Sequence, residues 1–187
     1  VRVSGKNGAD AWQLSQAEIE GRKQIKKVFR FLTKYVPGME KAHITSIANG
    51  IGVRETRRIE GEYILNKEDI LQGKKFEDGI AKNGYCIDIH DPKGNGWGVS
   101  FIQSKDQCYD IPYRCLVPKE IDGLLVAGRC ISATTEAQAS IRIMPSCMAQ
   151  GEAAGIAAAI AAEKTVAPRD IDTSYLRKKL EEKGAII

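Results

Sequence analysis

The sequence predicts a mixed fold of the α+β class, in which helices and mainly antiparallel strands occupy separate stretches of the chain. Residues 11–35 carry apolar side chains at helical spacing. Residues 41–118 contain short β-branched or alternating stretches separated by turn signals. Residues 121–164 predict an apolar strand, a loop of small residues and an alanine-rich helix. We therefore divide the chain into an N-terminal helical segment (1–40), a β-rich segment (41–118) and a C-terminal segment (119–187).

The composition excludes several classes of protein. The formal net charge is +4 and the basic residues are dispersed among acidic ones, so we expect no nucleic acid partner. The longest apolar run, within residues 146–162, is interrupted by Gln150 and Glu152 and is too short to span a bilayer, so we expect no membrane partner. The 5 cysteines, without a C-x-x-C pair, predict neither a disulfide framework nor a zinc site. The sequence therefore predicts a cytoplasmic protein with no metal site.

Near the N terminus, residues 11–35 predict an amphipathic helix. Ser15 is the expected N-cap, because an acidic residue follows it three positions later. The dipeptide Pro37-Gly38 ends the helix. Lysines and arginines cover the remaining surface, which we interpret as a solvated helix face. The apolar residues at helical spacing are Ile25, Val28, Phe29, Leu32 and Val36.

The β-rich segment predicts strands joined by turns. Asn49-Gly50 is a turn signal between the first two strands. Residues 66–82 hold many charged and few apolar side chains, which predicts a short helix and a surface connection. Pro112 fixes its own φ and keeps the preceding residue extended, so the last strand is expected to enter the core from a sheet edge. The predicted strands are residues 43–48, 59–65, 85–89, 97–103 and 109–117.

Three arginines and a carboxylate lie between the first two predicted strands. In an extended backbone Arg54 and Arg58 share one face with Thr56, while Glu55 and Arg57 take the other. A guanidinium beside a cleft suits an anionic group, since its fork of donors matches a carboxylate. An internal network of arginine and glutamate that fixes the packing is the alternative.

His90 is a candidate acid–base residue. It lies between Asp88 and Asp91, and either carboxylate could orient its imidazole. The alternative is a turn histidine that hydrogen-bonds within its own loop.

The order of elements in the C-terminal segment predicts that backbone N–H groups point towards a ligand. The apolar run at residues 123–127 indicates a buried strand, and Gly128 ends it. Small or hydroxylated residues then predict a loop as far as Ala139. Pro145 suits the first turn of a helix, whose unsatisfied N–H groups, with Arg142 just upstream, favour an anion or an electron-rich carbonyl. A packing helix behind a tight turn is the alternative.

The alanine-rich helix is predicted to run to Glu163. Gly151 and Gly155 lie on one face of it, which allows a neighbouring element to approach closely. The position of Cys147 in the first turn favours a lowered thiol pKa. A last helix is predicted at residues 175–183, capped by Asp172 or Thr173.

Two blocks of this segment resemble a known family. GLLVAGRCISATTEA (123–137) and SIRIMPSCMAQGEAAGIAAA (140–159) are similar to the C-terminal flavin-binding signature of FAD-dependent oxidoreductases with a two-dinucleotide-binding-type fold. YDIPYRCLVPKEIDG (109–123) and IGVRETRRIEGEY (51–63) resemble further blocks of this family. The resemblance covers most of the chain. It implies a β-rich substrate domain followed by the strand, loop and helix of a Rossmann-like FAD domain.

The resemblance also implies site residues. It places Ala127, Gly128 and Arg129 near the pyrophosphate and ribityl chain of FAD, and the start of the helix at Pro145 near the flavin pyrimidine ring. The remaining implied cofactor-binding residues are Ser132, Arg142, Met144 and Ser146. The candidate catalytic residues, which would orient the substrate or donate to a developing oxyanion, are Arg54, Arg57, Tyr113, Arg114 and His90. Plain packing is the alternative for the tyrosine and its neighbouring arginine.

The chain departs from the family pattern in two ways. No G-x-G-x-x-G turn, which would hold the ADP half of FAD, occurs in the sequence. Thr135 stands where many relatives carry histidine. We therefore expect the C-terminal part of a longer flavin-dependent oxidoreductase that transfers hydride between FAD and a small-molecule substrate. Its further partner would be the missing N-terminal FAD-binding half, and by itself the chain would bind FAD weakly or not at all. A non-catalytic scaffold or assembly module with the flavoprotein fold is the alternative.

Overall fold

The computed structural model describes residues 2–90 and 97–187 and has the predicted mixed α+β architecture. These residues form two compact units, the first ending at residue 56 and the second beginning at residue 57. No helix within the described ranges is long and apolar enough to cross a membrane. The helices are α1 (Ala11–Tyr35), α2 (Lys67–Leu71), α3 (Thr135–Ile141), α4 (Met144–Lys164) and α5 (Thr173–Glu182). The strands are β1 (Gly79–Asn83), β2 (Ile87–His90), β3 (Trp97–Ser100) and β4 (Tyr109–Pro112).

The first unit is built around α1, which confirms the predicted N-terminal helix. The prediction of Ser15 as N-cap is wrong, because the Asp10 side chain accepts a hydrogen bond from the Gln13 N–H at 2.8 Å and so caps the helix one turn earlier. The Ser15 hydroxyl instead donates to the Ala11 carbonyl at 2.9 Å, as hydroxyls do within helices. The predicted strand at residues 43–48 is also wrong, since this segment pairs with no strand of the described residues.

The antiparallel pair formed by β1 and β4 contributes to the core of the second unit. Ala81 lies opposite Ile111 and Asn83 opposite Tyr109, and all four residues are buried. Helices α4 and α5 pack against β1. Strand β1 falls in the stretch where a surface connection was expected, so that prediction is wrong, whereas the short helix predicted in the same stretch is confirmed as α2.

A second antiparallel pair, β2 with β3, confirms the predicted strands at residues 85–89 and 97–103, although β2 begins two residues later and ends one residue later than predicted and β3 ends three residues earlier. Helix α3 packs against β2. Strand β4 also ends earlier than predicted, because the residues after Pro112 form a single turn of 3-10 helix, Tyr113–Cys115.

Two further predicted strands, residues 59–65 and 123–127, are wrong. Residues 59–65 make only isolated bridges, from Gly61 to Pro118 and from Leu65 to Ala133. In the second segment the Val126 N–H donates to the Leu116 carbonyl at 2.9 Å, but no described strand runs alongside it. A strand needs a continuous ladder of partners, which an apolar run alone does not supply.

Residues 57–65 run beside the start of the predicted small-residue loop. The Ile59 N–H donates to the Cys130 carbonyl at 2.9 Å, and the Leu65 N–H donates to the Ser132 carbonyl at 3.2 Å. A Cβ at Gly61 would stand 2.7 Å from the Ser132 Cβ, so only glycine permits this approach. The glycine thereby brings residues 59–65 next to the loop at residues 127–134.

Helix α3 occupies part of the stretch that was expected to be loop. The Thr134 hydroxyl accepts a hydrogen bond from the Ala137 N–H at 3.3 Å, which makes it the N-cap. The predicted α4 and α5 are confirmed, with Pro145 in the first turn of α4 and Asp172 as the N-cap of α5.

Candidate functional site

The loop that follows Ala127 turns at Gly128. This residue has φ +91°, a left-handed conformation that favours glycine, and a Cβ there would meet no atom within 4 Å. Glycine is therefore required by the backbone conformation and not by crowding. The side chain of Arg129, the next residue, is exposed. The backbone of the turn is thus open on one side at Gly128, and the cationic Arg129 is the next residue.

Helix α4 begins at Met144. Its N-cap, Ile143, has an apolar side chain and makes no capping hydrogen bond to the first turn. Met144 is 80% exposed and Pro145 is also exposed. A helix of this length concentrates partial positive charge at its start. The start of α4 is therefore open to solvent at Met144 and Pro145, of which only Met144 carries a backbone N–H.

Ser146, also in the first turn of α4, differs from its neighbours. It is 5% exposed, so its side chain lies inside the protein surface. Of the three predicted residues at this helix start, the methionine and the proline face solvent and the serine does not.

Further arginines lie around the loop. The Arg58 guanidinium donates to the Thr135 hydroxyl at 3.2 Å, at the start of α3. Arg142, the C-cap of α3, donates to the Asp88 carbonyl at 3.0 Å. Arg57 is exposed, and it stands two residues before the backbone contact with the loop. The region is therefore cationic, which suits an anionic ligand.

The first-turn thiol of α4 does not behave as the sequence suggested. Burial raises the pKa of Cys147, and the Arg129 guanidinium opposes this shift only in part. The predicted lowering is wrong, because the loss of hydration outweighs the favourable charge. Residues 2–90 and 97–187 contain no group of three or more His, Cys, Asp or Glu side chains placed to hold a metal ion.

Ser132 lies on the buried side of the loop. It is fully buried, and its hydroxyl has no hydrogen-bond partner within the described part of the chain. Because protein atoms already enclose the side chain, it offers no surface to a ligand. Its backbone nevertheless holds the loop, since its N–H donates to the Cys115 carbonyl at 3.0 Å.

Tyr113 and Arg114 are engaged in contacts that stabilise the fold. The buried Tyr113 hydroxyl donates to the Pro168 carbonyl at 2.8 Å, and burial raises its pKa. The Arg114 guanidinium donates to both Asp78 oxygens, at 2.9 and 3.1 Å, and lies over the Tyr63 ring. These contacts favour packing, the alternative that the sequence left open.

The structure says less about the other candidate catalytic residues, which are Arg54, Arg57 and His90. Arg54 belongs to the first unit and Arg57 to the second, and both are exposed. His90 ends β2, but its side chain lies outside the described residues. Their roles in catalysis stay predictions.

Two residues that hold the loop were not predicted, namely Gln138 and Gln150. Both are fully buried. The Gln150 Oε1 accepts from the Gly128 N–H at 2.8 Å, and the Gln138 Nε2 donates to the Arg129 carbonyl at 3.4 Å. In the sequence, the signal for Gln150 is an amide side chain in an otherwise small and apolar helix.

Comparison with known proteins identifies one family. The family model described as FAD dependent oxidoreductase matches residues 2–180. No curated protein and no solved structure matches the chain at a significant level.

Proposed function

Because this chain belongs to the FAD dependent oxidoreductase family, we propose that its Gly128 turn and the N-terminus of α4 bind FAD. We further propose that the whole enzyme transfers hydride between FAD and a small-molecule substrate. The observation that carries the proposal is the helix N-terminus without a side-chain cap, exposed to solvent and flanked by Arg129. That arrangement suits the electron-rich part of a flavin.

The residues fit this cofactor by charge and by access. At residues 127–129 the backbone would lie against the pyrophosphate and ribityl chain, where the open side of Gly128 leaves room. The first-turn N–H groups of α4 would donate to the flavin pyrimidine ring and stabilise negative charge there. When bound, FAD supplies the hydride chemistry at its N5 atom.

The adenine half of the cofactor requires other residues. The printed sequence contains no G-x-G-x-x-G turn, which is the usual backbone cradle for a dinucleotide pyrophosphate. We propose that an N-terminal FAD-binding half supplies those contacts and that this chain alone holds FAD weakly. The free thiols, with no disulfide among them, suit a reducing compartment such as the cytoplasm.

The substrate side of the site is proposed from the arginines. Arg57 has an exposed guanidinium close to the loop, so it is our first candidate for orienting an anionic substrate. Arg54 and His90 remain candidates for binding and for proton transfer. Tyr113 and Arg114 are weaker candidates, because Pro168 and Asp78 already occupy their donors.

The proposal is tested by the flavin content of the protein expressed from its complete reading frame. We expect a flavin absorbance spectrum and release of FAD on denaturation. Arg129→Gln should lower the bound FAD, since a charge-assisted contact is worth about 1.5–3 kcal/mol. Lys178→Gln, at an exposed position of α5, is the matched control and should leave it unchanged.

Two results would count against the proposal. Absence of flavin, even with excess FAD, would leave the scaffold or assembly module as the better account. Equal flavin content in the Arg129→Gln and wild-type proteins would remove this arginine from the site.

A further inference from the structure

A single buried side chain links the proposed flavin loop to α4. Gln150, in the second turn of the helix, has no exposed surface. Its Oε1 accepts from the Gly128 N–H at 2.8 Å, and its Nε2 faces the Ile141 carbonyl at 3.5 Å. A backbone N–H can only donate and a carbonyl can only accept, so these two neighbours fix the orientation of the amide.

The two neighbours belong to different elements. Gly128 forms the turn of the loop, and Ile141 is the last residue of α3, where carbonyls lack helical partners. Gln150 itself is only six residues after Met144, the first residue of α4. One amide therefore sets the spacing between the loop, the end of α3 and the first turns of α4.

The Gly128 N–H would otherwise be left without an acceptor on the protein side of the turn. Gly128 is half-buried, so loss of this acceptor carries a cost, which rotation of the preceding peptide would relieve. Such a rotation would change the face that residues 127–129 present to a ligand. Gln138 holds the next carbonyl of the same turn, so the loop is fixed through both a donor and an acceptor.

We propose that Gln150 is a positioning residue for FAD binding, which acts by holding the Gly128 turn at a fixed distance from the N-terminus of α4. This inference rests on the proposed function. An apolar side chain of similar size would fill the same volume between the helices, so packing does not explain the amide. The requirement is for one acceptor and one donor in a buried position.

The test uses Gln150→Glu, Gln150→Leu and a control in the protein from its complete reading frame. The neutral carboxyl introduced by Gln150→Glu keeps one acceptor and one donor, whereas its ionised form loses the donor and repels the Ile141 carbonyl. Burial raises the pKa of such a carboxyl. The charged or titratable groups of the elements around it are Arg129, Cys130, Arg142 and Cys147.

The measurement is the FAD dissociation constant of each variant relative to wild type at pH 6 and pH 9, because the ratio cancels shared titrations. We expect Gln150→Glu to bind as wild type does at pH 6 and about tenfold more weakly at pH 9. Gln150→Leu should bind about tenfold more weakly at both values. Ile160→Val, a buried apolar change further along α4, should lower stability but leave binding within about twofold.

The results that would contradict the positioning role of Gln150 differ in what they imply for the proposed function. If wild type binds FAD and both Gln150 variants bind as well as wild type at pH 9, the positioning role is overturned and the proposed function stands. A loss for Ile160→Val equal to that of Gln150→Leu also overturns it, since Ile160→Val leaves this hydrogen bond intact. If wild type binds no FAD, the proposed function fails and this inference fails with it. Thermal unfolding of each variant verifies that it is folded.

Discussion

Among single residues, Arg114 illustrates how a charged side chain beside a candidate site can serve the fold. The Asp78 carboxylate, 7% exposed, accepts from the Arg114 guanidinium and also from its backbone N–H at 3.2 Å. This hydrogen bonding raises the pKa of the arginine, so its guanidinium stays charged. A bidentate contact of this kind holds the turn after β4 and leaves the guanidinium less able to bind a substrate.

Cys115, the next residue, leads to a prediction on alkaline stability. It is fully buried, and burial raises the pKa of its thiol from 9.0 to about 12. The folded state thus favours the neutral thiol, so its contribution is complete below pH 9 and is lost as the pH rises towards 12. Between pH 9 and 10 the free energy of unfolding should fall by about 1 kcal/mol more in wild type than in Cys115→Ala.

The measurement is urea unfolding at pH 9 and pH 10, and tyrosine ionisation, which begins in this range, cancels because wild type and Cys115→Ala share it. Ile111→Val, another fully buried position, is the control and should keep the wild-type pH dependence. The same pH dependence in wild type and Cys115→Ala would contradict the assignment.

At the scale of elements, a buried polar network joins β1, β4 and α3. The Tyr109 hydroxyl lies 2.6 Å from the Ser140 hydroxyl and accepts from the Asn83 amide at 2.7 Å. The Ser140 hydroxyl also lies 2.6 Å from the Tyr85 carbonyl. Every polar group of this network has a partner, which makes it costly to disturb in part.

This network explains why β1 was not predicted from the sequence. Its residues include a glycine, a lysine and an asparagine, which are poor strand formers. Asn83 is nevertheless buried, because side chains distant in sequence satisfy its amide. By contrast, the long α1 and α4 were predictable, since periodicity, composition and breakers are local signals.

The network should show strong coupling between its members. Tyr109→Phe removes the shared hydroxyl and should lower the free energy of unfolding by about 1–3 kcal/mol. Ser140→Ala should cost less in the Tyr109→Phe protein than in wild type, because one of its two hydroxyl contacts is already gone, so the double variant should be more stable than the sum of the single effects predicts. Tyr85→Phe is the control, because only its backbone carbonyl takes part. Strict additivity in urea unfolding would contradict the network.

At the scale of the whole molecule, the candidate site combines local and non-local features. The turn at Gly128 and the start of α4 were predictable, because glycine, proline and small residues mark them in the sequence. The contacts of Tyr113 and Arg114 with Pro168 and Asp78 were not predictable, since they join residues far apart in the chain. The roles of the buried glutamines likewise emerge only when the loop and helices are seen together.

Binding of FAD at the Gly128 turn is testable through the FAD dissociation constants of two glycine variants. Gly128 has φ +91° and Gly184 has φ +85°, and a Cβ at either position meets nothing within 4 Å. Alanine should therefore cost about 1 kcal/mol of stability at each position. In the protein from its complete reading frame, we expect Gly128→Ala to weaken FAD binding about fivefold to tenfold and Gly184→Ala to leave it unchanged. Equal affinities for wild type and both variants, or no FAD binding by wild type, would contradict the account.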